Sequence, residues 1–277
     1  MKKNSAVKTV IFSVISLIWM IPIIIAILNS FKSNDSVNMS FFSLPSSDTF
    51  VFAENYKKAL TFGNYPFLRS FGYSVLISSV STALIIICCS MASWYIVRVG
   101  SVFSKIFYYL CMFSLAVPFQ MLMFTLSASA NRNGLDKPWT IPVVYLGYGA
   151  GMAVFMFTGF IRGLPYEIEE AAVIDGCGPV RTFFFAVFPM MAPISISVGI
   201  LQLMWIWNDY LLPYLVLDIT EYRTVPIHIQ YLKGSYGSVD LGASLAVIVM
   251  SLVPIMIIYA FCQKYIVDGI AEGAVKG

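Results

Sequence analysis

Charged residues are scarce in this sequence of 277 residues. Asp, Glu, Lys and Arg make up 11% of the chain, whereas 59% of it is hydrophobic, and the mean hydropathy is +0.82. Soluble globular domains carry about 25% charged residues, so the composition excludes that class. The sequence therefore predicts an integral membrane protein.

The apolar residues are concentrated in long stretches. A helix needs about 20 of them to cross a hydrocarbon core of roughly 30 Å. Six stretches meet or nearly meet this length, and they cover about residues 10–28, 71–97, 104–126, 141–161, 192–217 and 241–262. Because no loop is large enough to form a domain, we predict one all-α, polytopic membrane domain with six transmembrane helices over residues 1–277.

Basic residues give a small bias in orientation. Six spans place both termini on one side of the membrane, and Lys2, Lys3 and Lys8 before the first span favour the cytoplasm. In that orientation nine of the 17 Lys and Arg residues lie on the cytoplasmic side and eight lie in the outer loops. The loop 162–190 and the tail 263–277 are then predicted to be cytoplasmic.

Residues for catalysis and metal binding are missing. The only histidine is His228, in an outer loop, so neither a His-rich metal site nor a Ser-His-Asp triad can be assembled. Cys177 lies in the loop 162–190 and the other four of the five cysteines lie within spans. No outer-loop pair is left for a disulfide. We predict no catalytic residue and no metal site.

An energy source is missing as well. The chain has no G-x-x-x-x-G-K-[ST] phosphate loop, since the segment 176–182 lacks both the spacing and the lysine. The apolar cores of the spans contain no Lys or Arg, and only Asp209 lies within an apolar run, whereas a proton-coupled carrier needs more ionisable groups there. Energy must therefore come from another polypeptide.

The loop 162–190 contains a charged, helix-forming segment, Glu-Ala-Ala-Val-Ile-Asp-Gly at residues 170–176. Pro165 suits the first position of a helix, and Gly176 suits the residue that follows the last turn. Three acids fall in the first turns, where the positive end of the helix dipole favours them; they are Glu167, Glu169 and Glu170. These signals predict a helix of about ten residues.

The same segment is suited to contact with another protein. Ala171 and Ala172 lack bulk, so a partner backbone can come close while neighbouring acids make polar contacts. The alternative for a loop of this kind is a solvated amphipathic connector. The specific order of its residues favours a partner surface.

Polar and aromatic residues in two spans suggest a solute path or gate. They are Trp207, Asn208, Asp209 and Tyr210 in the fifth span and Gln120 in the third. An amide, a carboxylate and aromatic rings suit a sugar, whose hydroxyls need donors and acceptors and whose C–H faces lie against rings. In the alternative, Asp209 caps local backbone at the outer interface and Pro118 introduces a simple kink.

Small residues recur on two other spans. Ser74, Ser78 and Thr82 follow one another every four residues, and Gly147 with Gly151 forms a G-x-x-x-G motif. Both patterns predict close helix contacts, either within the chain or with a partner subunit.

The order Glu-Ala-Ala, two residues, Asp-Gly, then a proline after a Phe-rich stretch resembles the coupling loop of permeases in binding-protein-dependent ABC importers. Three further segments resemble the carbohydrate branch of that family, and within it the second, shorter permease of the maltose type. They are Leu164-Pro165 followed by glutamates, Trp207-Asn208 in the fifth span, and the tail Tyr265–Gly277. The resemblance covers essentially the whole chain.

The resemblance implies a type I ABC importer permease fold and assigns roles to residues. The EAA coupling motif would dock in a cleft of a cytoplasmic ATPase through Glu170, Ala171, Ala172, Asp175 and Gly176. The end of the tail would reach between two ATPase subunits, and it comprises Gly273, Ala274, Val275, Lys276 and Gly277. ATP and magnesium would bind to the ATPase and no cofactor to this chain.

The resemblance also implies the partners and the location. The chain would form a heterodimer with a second permease subunit in a bacterial plasma membrane, with an ATPase dimer inside and a sugar-binding protein outside. It would be a sugar transporter subunit rather than an enzyme, in contact with lipid and not with nucleic acid. Two alternatives remain: a permease for another polar solute such as glycerol phosphate, and a self-sufficient channel or secondary carrier.

Overall fold

The computed structural model describes residues 2–61, 65–231 and 240–275. Within these ranges the secondary structure is helical and no β-strand forms, so the predicted all-α class is confirmed. In chain order the helices are α1 (Lys2–Ser30), α2 (Asn34–Met39), α3 (Phe52–Thr61), α4 (Phe67–Val99), α5 (Val102–Ala116), α6 (Phe119–Arg132), α7 (Ile141–Ile161), α8 (Glu167–Ile174), α9 (Pro179–Thr182), a π-helix (Phe183–Val187), α10 (Phe188–Met190), α11 (Ala192–Asn208), α12 (Leu211–Val216), α13 (Val225–Tyr231) and α14 (Leu241–Val275).

Four helices of the described chain are long and apolar enough to cross a membrane singly. The qualifying segments are Val7–Ser30 in α1, Phe67–Val99, which is all of α4, Ile141–Ile161, which is all of α7, and Leu241–Gln263 in α14. They contain the first, second, fourth and sixth of the stretches that the sequence indicated.

The other two stretches are broken. Helices α5 and α6 meet at 112°, and the helical segment Pro179–Met190 meets α11 at 79°. The chain therefore has up to six spans when each bent pair counts as one. At the first break Val117 is extended (φ −88°, ψ 115°), because a residue before proline avoids helical geometry and Pro118 donates no backbone hydrogen bond. The bend is far larger than the simple kink considered for Pro118.

The helices group into two compact units. The first contains Met1–Ser70 with Ile227–Met256, and the second contains Phe71–Pro226 with Ile257–Gly277. In the first unit the buried amide of Asn55 in α3 donates to the carbonyls of Ser30 (2.9 Å) and Lys32 (2.7 Å). A Cβ on Gly242 of α14 would lie 2.7 Å from the Asn55 amide nitrogen, so this polar contact needs glycine in α14. The single membrane domain over residues 1–277 stays a prediction.

In the second unit α7 is the central helix. A Cβ on Gly151 would lie 2.8 Å from the Cys111 carbonyl oxygen of α5, and a Cβ on Gly149 would lie 3.0 Å from Gln202 Oε1 of α11. Gly147 has no such neighbour within 4 Å. The predicted glycine contact is therefore found within the chain at Gly151, whereas at Gly147 a contact with a partner subunit stays a prediction.

The serine stripe of α4 is buried in the same unit. Ser74 is 4% exposed and Ser78 is 2% exposed. The Ser74 hydroxyl accepts a hydrogen bond from the Val225 backbone N–H (2.8 Å), and the Ser78 hydroxyl donates to the Ser74 carbonyl (2.6 Å). At Ser74 the close contact predicted for this stripe lies within the chain.

Candidate functional site

The charged segment forms helix α8, which is eight residues long. It begins at Glu167, two residues after the position expected from Pro165. At its other end the Cys177 N–H donates to the Ala172 carbonyl and the Gly176 N–H donates to the Val173 carbonyl, both at 2.9 Å. This is a Schellman motif, and Gly176 occupies its left-handed position with φ +80°. The predicted stop at Gly176 is confirmed.

One face of α8 is open to contact. Glu170 and Ala171 are exposed, as is Asp175 just beyond the helix. Val173 is 62% exposed and Ile174 is 85% exposed. An acid, a small residue and two bare aliphatic side chains thus share one surface. We call it the α8 outer face.

Glu169 lies on the opposite side of α8 and is buried. Its Oε1 accepts a hydrogen bond from Arg98 Nε at 2.7 Å, and its Oε2 accepts one from Trp94 Nε1 at 3.0 Å. Arg98 also donates from its second terminal nitrogen to the Leu164 carbonyl at 3.2 Å. The sequence placed Glu169 among the acids of the first turns but gave no sign of these partners, which lie 71 and 75 residues away.

Asp209 lies in a break between two helices. Helix α11 ends at Asn208 and α12 begins at Leu211, so the predicted continuous span 192–217 is divided here. Asp209 Oδ1 accepts hydrogen bonds from the backbone N–H groups of Leu211 (3.0 Å) and Leu212 (3.4 Å). The carboxylate stabilises the start of α12, which is the backbone-capping role considered as the alternative for this residue.

The second carboxylate oxygen of Asp209 joins an aromatic cluster. Tyr145 Oη of α7 donates to Asp209 Oδ2 at 3.0 Å. The rings of Tyr145 and Tyr148 both lie 5.6 Å from Trp205, and Phe119 of α6 lies 5.4 Å from Tyr148. None of these four aromatic residues was among the predicted path residues. Phe119 adjoins Gln120 and Trp205 lies four residues before Asp209, so position in the same predicted span could have indicated these two.

The other candidate path residues are dispersed. Trp207 is buried, with its ring 5.8 Å from Phe71, and Tyr210 stacks on Tyr214 at 5.0 Å. Asn208 is exposed and donates to the Met204 carbonyl of its own helix at 2.7 Å. Gln120 is exposed near the start of α6. The structure therefore joins the Asp209 side chain to Tyr145, whose ring packs against Trp205.

The tail is only partly described. Gly273, Ala274 and Val275 continue helix α14, while Lys276 and Gly277 lie outside the described residues. Among the described residues no group of three or more His, Cys, Asp or Glu side chains is arranged to hold a metal ion.

Comparison with known proteins identifies the family. Residues 85–271 match the family described as the binding-protein-dependent transport system inner membrane component. The chain belongs to this family. The match includes α8, the second half of α4 and the Asp209 break, so the described site lies within the region that the family shares.

Similar proteins of this inner membrane component family cover nearly the whole chain. The chain is 33% identical to the probable starch degradation products transport system permease protein AmyC of Thermoanaerobacterium thermosulfurigenes, over 95% of this chain and 94% of that protein. It is 30% identical to the multiple sugar-binding transport system permease protein MsmG of Streptococcus mutans, over the full length of both. It is 27% identical to the melibiose/raffinose/stachyose import permease protein MelC of Bacillus subtilis, over 99% and 98%.

A solved structure supports the fold of this inner membrane component. A chain of a bacterial ABC transporter involved in the import of the acidic polysaccharide alginate superimposes with a TM-score of 0.75 at 20% identity. The superposition covers 95% of this chain and 96% of the other. The fold is therefore that of an ABC importer permease, and the chain is a multi-pass membrane protein of the transporter class.

Proposed function

We propose that this permease forms part of an ATP-driven importer for a sugar or oligosaccharide and that α8 is its contact with the ATPase. The observation that carries the proposal is the α8 outer face. It presents Glu170, Ala171 and Asp175 beside two bare aliphatic side chains, and Gly176 ends the helix within the same surface. Exposed apolar groups rimmed by polar ones are characteristic of protein contact sites.

The rest of the assembly follows from this role. A separate cytoplasmic ATPase dimer binds ATP and magnesium, a second permease completes the membrane part, and an extracellular binding protein delivers the sugar. Helix α8 and both termini then face the cytoplasm of a bacterium. The tail residues 273–277 reach between the ATPase subunits.

The cargo is proposed from the relatives and from the Asp209 cluster. The relatives named above are described as permeases for starch products, multiple sugars and melibiose, raffinose or stachyose. The described contacts of Asp209 are a phenol hydroxyl and backbone N–H groups, next to the ring of Trp205. A carboxylate beside aromatic rings suits sugar hydroxyls and would repel the phosphate of glycerol phosphate. We include Trp207, Asn208, Tyr210 and Gln120 in this proposed path as candidates.

The ATPase contact is tested by Glu170→Lys in cells that express all the neighbouring transporter genes. We expect the variant to insert in the membrane, to lose sugar uptake, and to co-purify with little or no ATPase. Glu54→Lys is the control, since it makes the same charge change at an exposed position on α3, away from α8. Normal uptake and normal ATPase recovery with Glu170→Lys would overturn the proposal.

A further inference from the structure

Glu169 makes contacts that differ in kind from those expected of a docking residue. Its side chain is 8% exposed, and both of its carboxylate oxygens are occupied by partners within the same compact unit. Glu170, the next residue, is exposed. Because adjacent residues on a helix are about 100° apart, the two acids project in different directions. Glu169 therefore connects α8 to the body of the unit.

The partners of Glu169 both belong to the last turns of α4, which ends at Val99. Arg98 Nε and Trp94 Nε1 bind one carboxylate oxygen each. Residues 94 and 98 are four apart, so they lie on one face of α4 and hold the carboxylate between them. Two directed hydrogen bonds from one rigid face fix the orientation of the carboxylate as well as its position.

Arg98 and Trp94 also contact the chain on either side of α8. Before the helix, Arg98 donates to the Leu164 carbonyl and its guanidinium carbon lies 5.4 Å from the Tyr166 ring centroid. After the helix, the Trp94 ring lies 5.5 Å from the ring of Phe183, which is 1% exposed. The end of α4 thus contacts α8, the segment leading into it and the segment leaving it.

A buried ion pair is not explained by stability alone, because well-packed apolar residues at such a site often stabilise the fold as much or more. What it does supply is a specific geometry. We propose that the contact of Glu169 with Arg98 and Trp94, which we call the α4–α8 joint, transmits the displacement of α8 to the transmembrane helix α4. The three residues are positioning residues for transport. This inference rests on the proposed ATPase contact of α8.

The joint is tested with the complete transporter reconstituted in liposomes with its ATPase and binding protein. The variants are Glu169→Gln, which removes the charge, and Trp94→Phe, which removes one hydrogen-bond donor and leaves the ion pair. We expect both to retain the bound ATPase and its basal hydrolysis. We expect sugar transported per ATP hydrolysed to fall by about 3- to 30-fold for Glu169→Gln and by less for Trp94→Phe, the usual range for residues that carry coupling. Arg98→Lys, which keeps the charge, should transport better than Arg98→Gln.

Glu167→Gln is the matched control, since it removes one negative charge from an exposed position two residues earlier. It should leave the transport ratio unchanged. A wild-type transport ratio in both Glu169→Gln and Trp94→Phe would overturn the joint. So would loss of the ATPase from these complexes, since Glu169 would then act in docking. Failure of the proposed ATPase contact is a separate result, because it appears as normal ATPase binding and uptake in Glu170→Lys.

Discussion

Glycine positions show most directly how single residues determine this fold. Gly151→Ala would place a Cβ 2.8 Å from the Cys111 backbone carbonyl and 2.6 Å from Ser114 Oγ. Since the carbonyl belongs to a packed helix, α5 would have to move. We expect destabilisation by about 1 to 3 kcal/mol, as for other overpacked cores, measured as a lower melting temperature in detergent. Gly147→Ala on the same helix has open space and should melt like the wild type. Equal melting of the two variants would contradict the close contact of α5 and α7.

Substitution of Gly176 would test the need for a left-handed backbone conformation, not the need for a small side chain. A Cβ added at Gly176 or at Gly178 would have no heavy atom within 4 Å, but Gly176 has φ +80° whereas Gly178 has φ −73°. For a residue other than glycine, the left-handed conformation costs about 1 to 2 kcal/mol of conformational free energy. We expect Gly176→Ala to reduce sugar uptake and ATPase recovery by loosening the end of α8, and Gly178→Ala to leave both unchanged. Similar uptake by the two variants would show that the turn at Gly176 is not needed for coupling.

Features that depend on consecutive residues were predictable from the sequence, whereas contacts between residues far apart in the chain were not. The stop at Gly176 was predictable because a Schellman motif depends on a few consecutive residues. The partners of Glu169 were not, because nothing local indicates which face of α8 meets α4. For the same reason the sequence could suggest that glycines of α7 form close helix contacts, but not that Gly151 meets α5 and that Gly149 meets α11.

At the scale of elements, the break between α11 and α12 depends on Asp209. Asp209→Ala removes the acceptor of two backbone N–H groups, which costs about 0.5 to 2 kcal/mol for a typical cap, and leaves the buried Tyr145 hydroxyl unsatisfied at about 1 to 3 kcal/mol more. We expect a clear fall in melting temperature. Asn208→Ala, at an exposed neighbouring position, should change it little.

A double-mutant cycle separates the contribution of the backbone cap from that of the hydrogen bond between Tyr145 and Asp209. Tyr145→Phe should destabilise the wild type but add little to Asp209→Ala, because the hydrogen bond between them is already lost. Additive losses in the double variant would contradict the Tyr145–Asp209 contact. The measurement is again thermal unfolding in detergent, followed for all four proteins.

The breaks were the elements least accessible from sequence. Apolar composition identifies a stretch that can enter the membrane but is nearly the same for a straight helix and for two helices at an angle. Pro118 marked one break, yet a proline can kink a helix slightly or end it. The 112° angle between α5 and α6 is therefore a property of the packed unit. The division at Asp209 likewise depends on Tyr145, which comes from another span.

At the scale of the whole molecule, the proposed function requires α8 to face the cytoplasm. The Lys and Arg residues give little information on this orientation, because nine lie on the predicted cytoplasmic side and eight on the other. The positions of the apolar stretches were predictable from composition, since the membrane imposes one strong rule on all of them. Sidedness was not, since it depends on a small difference in charge.

Cys177 provides a direct test of sidedness. It is partly exposed just after α8, and the other four cysteines lie within the predicted spans. We expect a membrane-impermeant maleimide to label the wild-type protein in inside-out vesicles and not in right-side-out vesicles, and Cys177→Ser to remove that labelling. A thiol placed at the exposed Asn133, between α6 and α7, in the Cys177→Ser background should show the reverse pattern. Labelling of Cys177 from outside would place α8 beyond the reach of a cytoplasmic ATPase and overturn the proposed function, whereas the contacts of Glu169 with α4 would remain as the structure shows them.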